Sequence, residues 1–257
     1  RKLAIGTICA GGALGTMIPP SLVLIIFGLT ASVSIGDLFL ASIGPGLLLA
    51  ALYLAYIWVR CWLNPELGPV SNEGQNLSLA EKIALLRGLV LPVGVAALVL
   101  GSIYGGVASV SEAAAVGVAG AMICAAVRNA LTVELMVAVL RQTMRICGTI
   151  LWLTFGASAL IGVYGLIGGT KFVAGLMAGL PLSPLGIIMV MMLIVFVLGT
   201  VMDWIGICLL TMPIFVPLVN ELGFDPVWFG VLFCLNVQIA YLSPPFGPAA
   251  FFLKSVA

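Results

Sequence analysis

Charge is what this sequence has least of. Lys, Arg, Asp and Glu make up 7% of its 257 residues, against roughly 25% in soluble domains. The net charge is +1 and no basic tract is present, so we expect no nucleic acid partner. Histidine is absent and the six cysteines are scattered, which excludes the usual zinc and disulfide patterns. Hydrophobic residues reach 63%, and several apolar stretches exceed the roughly 20 residues that cross a bilayer. The sequence predicts an all-α polytopic membrane protein.

Two Pro-Pro pairs interrupt long apolar segments. One pair, Pro19-Pro20, divides residues 3–29, and Pro244-Pro245 divides residues 227–252. Proline removes a backbone donor and breaks a helix, which leaves carbonyl oxygens without partners. Each stretch by itself also fits a short loop between two ordinary spans. Two matched breaks far apart in the chain are instead typical of an inverted-repeat secondary transporter with broken helices.

The remaining apolar segments follow one another with short connections. We predict spans over residues 37–62, 83–104, 109–128 and 147–167, a polar linker over 64–82 and an interfacial helix over 131–146. Two shorter arms, 185–198 and 205–219, indicate a re-entrant hairpin over residues 185–219 with its tip at 199–204. The chain starts at Arg1, and we expect it to be part of a longer protein. We divide it into the end of a first repeat (1–63), a linker with scaffold and arm helices (64–146) and a second repeat (147–257).

Two carboxylates in or beside apolar segments require an explanation. Glu112 follows Ser109 by three residues, a spacing that favours a capping box over ion binding. Asp203 lies deep in an apolar region, where a charge is costly. Asp203 either caps the helix that starts at Trp204 or helps to hold a cation at the hairpin tip, and the two roles are compatible.

Other functional classes fit the sequence less well. An intramembrane aspartyl protease needs a second buried Asp, but Asp37 and Asp225 fall at predicted membrane boundaries. A scaffold subunit would not require two matched helix breaks. No phosphate-binding Gly-rich loop with a Lys is present, so ATP-driven transport is unsupported and an ion gradient is the expected driving force. We therefore predict a secondary transporter subunit and no enzyme.

Several motifs in a specific order resemble one known family. They are Gly12–Ser21, Ser34–Phe39 with Gly44–Gly46, Gly105-Gly106 with Ser111–Ala114, Pro213–Pro217 and Leu242–Gly247. Together they resemble the large membrane subunit of a tripartite ATP-independent periplasmic (TRAP) transporter. The resemblance implies an elevator-type, sodium-coupled importer of small organic anions in the bacterial inner membrane. It also implies a small membrane (Q) subunit and a periplasmic substrate-binding (P) protein as partners, and no cofactor beyond the coupling sodium. A binding-protein-independent anion transporter of similar architecture is the alternative.

The same resemblance implies two sodium sites. The second sodium site maps onto Gly199, Ala240, Ser243 and Phe246, although the family often has Gly at Ala240 and Thr at Ser243. The first sodium site maps onto Gly15, Ile18 and Ser21, with further ligands expected in a hairpin that precedes Arg1. Residues at the hairpin tip and second break are expected near the substrate, namely Thr200, Asp203, Pro244 and Pro245. The hydroxyls of Ser21 and Ser243 and the carbonyls of the breaks are the hard oxygen ligands that sodium prefers.

The distribution of basic residues predicts the orientation in the membrane. In this layout nine of the ten basic residues fall on or near one face, and only Lys171 falls on the other. The positive-inside rule makes the first face cytoplasmic. A cysteine-accessibility scan should therefore label residues near Asn72 from the cytoplasm and residues near Lys171 from outside. Labelling of both from the same side would contradict this topology.

Overall fold

The computed structural model describes residues 2–67, 79–179, 181–243, 247 and 249. Regular structure in these residues is entirely helical. The helices are α1 (Lys2–Leu14), α2 (Leu22–Ala31), α3 (Ile35–Leu63), a 3-10 helix (Pro65–Leu67), α4 (Leu79–Tyr104), α5 (Val110–Val127), α6 (Val133–Leu166), α7 (Gly169–Ala178), α8 (Pro184–Gly199), α9 (Trp204–Glu221) and α10 (Pro226–Leu242). Among them α3, α5, α6 and α9 are long and apolar enough to cross a membrane. The prediction of an all-α polytopic membrane protein is confirmed.

One compact unit comprises Arg1–Ile57 and Cys147–Ala257. Its core forms where α2, α8, α9 and α10 pack on one another. Phe27 of α2 lies near Phe229 and Phe233 of α10, with ring centroids 6.5 and 5.8 Å apart, and all three side chains are fully buried. Lipid tails are as apolar as these rings, so close packing rather than hydrophobic burial stabilises such a contact in a membrane.

The other compact unit comprises Trp58–Ile146 and contains the pair α4 and α5. Small residues set the distance between these two helices. A Cβ on Gly117 would lie 3.2 Å from Val99, and one on Gly120 would lie 2.9 Å from Val95. The predicted capping box begins α5, because the Ser109 N–H donates to Glu112 Oε2 at 2.7 Å and Ser109 Oγ accepts the Glu112 N–H at 3.3 Å. The structural role predicted for Glu112 is confirmed.

Both predicted interruptions correspond to helix ends. Helix α1 ends at Leu14 and α2 begins at Leu22, so the first Pro-Pro pair lies in a seven-residue break. Helix α10 ends at Leu242, immediately before the second pair. Pro244, Pro245 and Phe246 lie outside the described residues. The two hairpin arms appear as α8 and α9, which pack on each other, and α9 continues through its two prolines to Glu221.

Residues 131–167 differ from the prediction. A separate interfacial helix and a following span were expected, but one continuous helix, α6, runs from Val133 to Leu166. The helix contains no proline, and Gly148, the glycine nearest the predicted boundary, costs only about 1 kcal/mol, so nothing forces a break there. At 34 residues and ~1.5 Å per residue, α6 is longer than the ~30 Å hydrocarbon layer. One helix therefore contains both the charged and the apolar segment.

Two smaller features also differ. Helix α7 was not predicted, since the predicted span ends at residue 167 and no element was assigned between it and the hairpin. The predicted linker over 64–82 ends earlier, since α4 already begins at Leu79, and residues 68–78 lie outside the described part. The division at residues 63 and 146 into two repeats and a linker stays a prediction, because repeats are defined by symmetry and the compact units by contacts.

Candidate functional site

The hairpin tip lies between the end of α8 and the start of α9. Asp203 is the N-cap of α9 and accepts the Ile205 N–H at 3.2 Å, which confirms its predicted capping role. Thr200 turns its hydroxyl back to the Val197 carbonyl of α8 at 2.7 Å. Among the described residues no backbone N–H donates to the carbonyl of Gly199. The tip therefore combines an available carbonyl oxygen with one exposed carboxylate.

The structure brings this tip against the end of α10. A Cβ built on Gly199 would clash with the Cβ of Ala240. The two backbones therefore approach so closely that residue 199 must be glycine. Both residues are buried. A small cavity of about 10 Å³ lies at this contact, lined by Gly199, Asp203, Trp204, Ile207, Ala240 and Tyr241 among others. That volume is close to one water-sized sphere, and the surface that lines it is apolar.

Ser243 stands at the second break itself. Its N–H donates to the Ala240 carbonyl at 3.1 Å, and its hydroxyl donates to the Ile239 carbonyl at 2.7 Å. Because the Ser243 hydroxyl donates, the lone pairs of its oxygen stay available to a cation. The Ala240 carbonyl accepts one hydrogen bond and has one further lone pair available. Ser243 is not part of the cavity lining in the described residues, so the cavity contains Gly199 and Ala240 but not the third predicted ligand.

At the first break, two of the residues predicted to bind sodium have structural contacts instead. Ser21 is fully buried, caps α2 by accepting the Leu24 N–H at 3.4 Å, and donates to the Thr16 carbonyl. Its hydroxyl therefore already has two partners. The carbonyl of Gly15 accepts no backbone N–H from the described residues. Ile18 packs near α3, where a Cβ on Gly46 would lie 3.2 Å from its Cγ1.

Three polar residues of α10 belong to this region and were not singled out from the sequence. Gln238 donates Nε2 to the Ala13 carbonyl at 2.5 Å, Cys234 donates Sγ to the Thr16 carbonyl at 3.0 Å, and Asn236 donates Nδ2 to the Met192 carbonyl at 2.6 Å. Each is at least about nine-tenths buried. The signal was present, because Asn236 and Gln238 are the only amides in an otherwise apolar helix. Their partners are 44 and 225 residues away, which no local pattern reveals.

These features define a class: a multi-pass helical membrane protein whose buried polar sites form at interrupted helices, as in many secondary transporters. The sequence profile described as the tripartite ATP-independent periplasmic transporter, DctM component, matches residues 1–257. The chain therefore belongs to the DctM family. Its relatives in this family are named as transporter permeases, which supports the prediction that the chain is not an enzyme.

Individual relatives are similar over almost the whole chain. The ectoine/5-hydroxyectoine TRAP transporter large permease UehC of Ruegeria pomeroyi is 34% identical over 241 residues, which cover 90% of this chain and 53% of that protein. The sialic acid TRAP transporter large permease SiaM of Vibrio cholerae is 31% identical, covering 98% and 58%. The C4-dicarboxylate TRAP transporter large permease DctM of Pseudomonas aeruginosa is 29% identical, covering 98% and 58%. The chain thus spans a little over half the length of these relatives.

The contact between Gly199 and Ala240 can be tested by exchanging the two residues. We expect Gly199→Ala to lower stability by about 1–3 kcal/mol, because the added methyl group overpacks a buried contact. Adding Ala240→Gly should restore most of that stability, since it removes the methyl group against which the new one clashes. Thermal unfolding of the purified full-length protein in detergent measures both effects. Additive losses in the double variant would contradict the contact.

Proposed function

We propose that this chain is part of the large permease subunit of a TRAP transporter that imports small organic anions with sodium. The single observation that carries the proposal is the contact of the hairpin tip at Gly199 with Ala240, just before the second Pro-Pro break. The contact brings the end of α8 against the last turn of α10, and the carbonyls of Gly199 and Ala240 each keep a lone pair there. Neutral oxygens of this kind can bind a monovalent cation, and no charged side chain has to be buried to do so.

The electrostatics of the tip favour a cation there. Asp203 is exposed and is among the residues around the same small cavity, so its negative charge favours a cation near the tip. It also occupies the N-terminal end of α9, a position that would otherwise attract an anion. We propose that the anionic substrate binds beside the cation at this tip, where Thr200, Asp203 and the second break were predicted to lie near it.

The substrate class and partners are inferred from the family. The relatives are named for ectoine, sialic acid and C4-dicarboxylates, all of which carry a carboxylate. We infer a small carboxylate-bearing substrate, delivered by a periplasmic binding protein to a large subunit that works with a small membrane subunit. The setting is the bacterial inner membrane, and transport proceeds by an elevator movement of the inverted repeats. No cofactor besides the coupling sodium is part of the proposal.

Sodium coordination at the second break can be tested at Ser243. In the full-length protein, Ser243→Ala should weaken binding of radioactive sodium roughly tenfold, because a ligand to a charged group is removed. Ser243→Thr, which keeps the hydroxyl, should bind as the wild type does. Ser102→Ala is a matched control, because the Ser102 hydroxyl likewise bonds back to its own helix, at Val99, in the other compact unit. Unchanged sodium affinity in Ser243→Ala would remove Ser243 from the site.

Dependence on a binding protein separates the proposal from a transporter that works alone. Uptake of a labelled organic anion is measured in proteoliposomes that contain the full-length large subunit with its small subunit. We expect uptake only when the cognate binding protein is present outside and an inward sodium gradient is applied. Uptake that is equally fast without the binding protein would favour the alternative of a binding-protein-independent anion transporter.

A further inference from the structure

Two side chains of α10 bond to the backbone at the end of α1 and in the first break. Gln238 Nε2 donates to the carbonyl of Ala13, and Cys234, one helical turn earlier on the same face, donates to the carbonyl of Thr16. These two carbonyls flank Gly15, whose own carbonyl is a proposed sodium ligand. Local bonds also hold these carbonyls, since Ala13 accepts the Thr16 N–H and hydroxyl and Thr16 accepts the Ser21 hydroxyl. What α10 adds is a link from the second broken segment to the backbone on both sides of a proposed ligand of the first sodium site.

The Gln238 contact joins equivalent positions of the two broken segments. Ala13 lies six residues before Pro19, and Gln238 lies six residues before Pro244. Each also lies two residues before the residue whose carbonyl is proposed to bind sodium, Gly15 in one segment and Ala240 in the other. A hydrogen bond at this point links the last turns of α1 and α10, where both proposed sodium sites begin.

Stability alone does not account for a glutamine here. Gln238 is 1% exposed, and among the described residues no donor reaches its Oε1. An unpartnered buried amide oxygen costs about 1–3 kcal/mol, whereas an apolar side chain of the same length would not carry that cost. The Ala13 carbonyl can only accept, so it fixes Nε2 as the donor and the orientation of the amide. What glutamine adds over an apolar residue is a directed link between the two breaks.

We propose that Gln238 is a positioning residue that couples the first and second sodium sites. The inference rests on the proposed function. A cation bound at the Ala240 carbonyl orders the last turn of α10, and Gln238 in that turn holds the Ala13 carbonyl and with it the start of the first break. Binding at either site thereby favours binding at the other, since such coupling is reciprocal.

The coupling can be measured with sodium alone. In the purified full-length protein, radioactive sodium should bind with a sigmoidal concentration dependence. Gln238→Met keeps the length and packing of the side chain but removes the donor. We expect this variant to bind the same amount of sodium with a hyperbolic dependence and about fivefold or more weaker apparent affinity, the lower end of typical coupling.

Asn236→Leu is the matched control. Asn236 is also a buried amide of α10 with an unpartnered oxygen, but it donates to α8 at Met192 and not to the first break. Its loss should lower thermal stability and leave the sigmoidal dependence intact. If Gln238→Met does not fold, Cys234→Ala provides the measurement, because it removes the weaker bond to Thr16 and should reduce sigmoidicity in the same direction.

The outcomes separate this inference from the proposed function. Sigmoidal binding that persists in Gln238→Met, or in Cys234→Ala where that variant is used, overturns the role of the contact while sodium binding stands. The same holds if Asn236→Leu abolishes sigmoidicity equally, or if wild-type binding is already hyperbolic. Absence of sodium binding by the wild type overturns the proposed function, and the coupling with it.

Discussion

The constraint on which the structure depends is that backbone groups inside a membrane must find partners within the protein. Helices satisfy this requirement, and the helix breaks are the places where it is not met locally. At the first break both local and distant groups supply partners: Ser21 bonds to Thr16 and caps α2, and two side chains of α10 reach the carbonyls of Ala13 and Thr16. The carbonyls that remain available are then few and in fixed positions, which is what a selective cation site requires.

Close approach of helices is the second condition for such a site. In lipid, helices associate through packing and hydrogen bonds rather than through the hydrophobic effect. The Gly199 contact with Ala240 brings the hairpin tip against the end of α10, and the packing of Phe27 against α10 holds the two broken segments together. In the other compact unit, glycines likewise allow α4 and α5 to pack closely. Packing therefore decides which backbone groups of distant helices lie near one another.

Much of the fold follows from local sequence. Apolar length, the two Pro-Pro pairs and the cap at Asp203 predicted most helices and both breaks, because these effects act within a few residues. Prediction was wrong where no strong local signal existed. Nothing in the sequence of α6 marks a boundary near Cys147, yet the change from charged to apolar residues suggested one. The short helix α7 was not predicted at all.

The site divides in the same way. By its composition and motifs the sequence determined a polytopic helical protein of the DctM family, the positions of the breaks and the residues that flank them, because proline and glycine act on the backbone wherever they stand. Tertiary structure alone decided that Gly199 meets Ala240, that the Ser21 hydroxyl is already used, and that Gln238 bonds to Ala13. These contacts depend on how helices that are far apart in the chain pack together. The distance between two packed helices is set by both of their surfaces, so neither sequence segment determines it by itself.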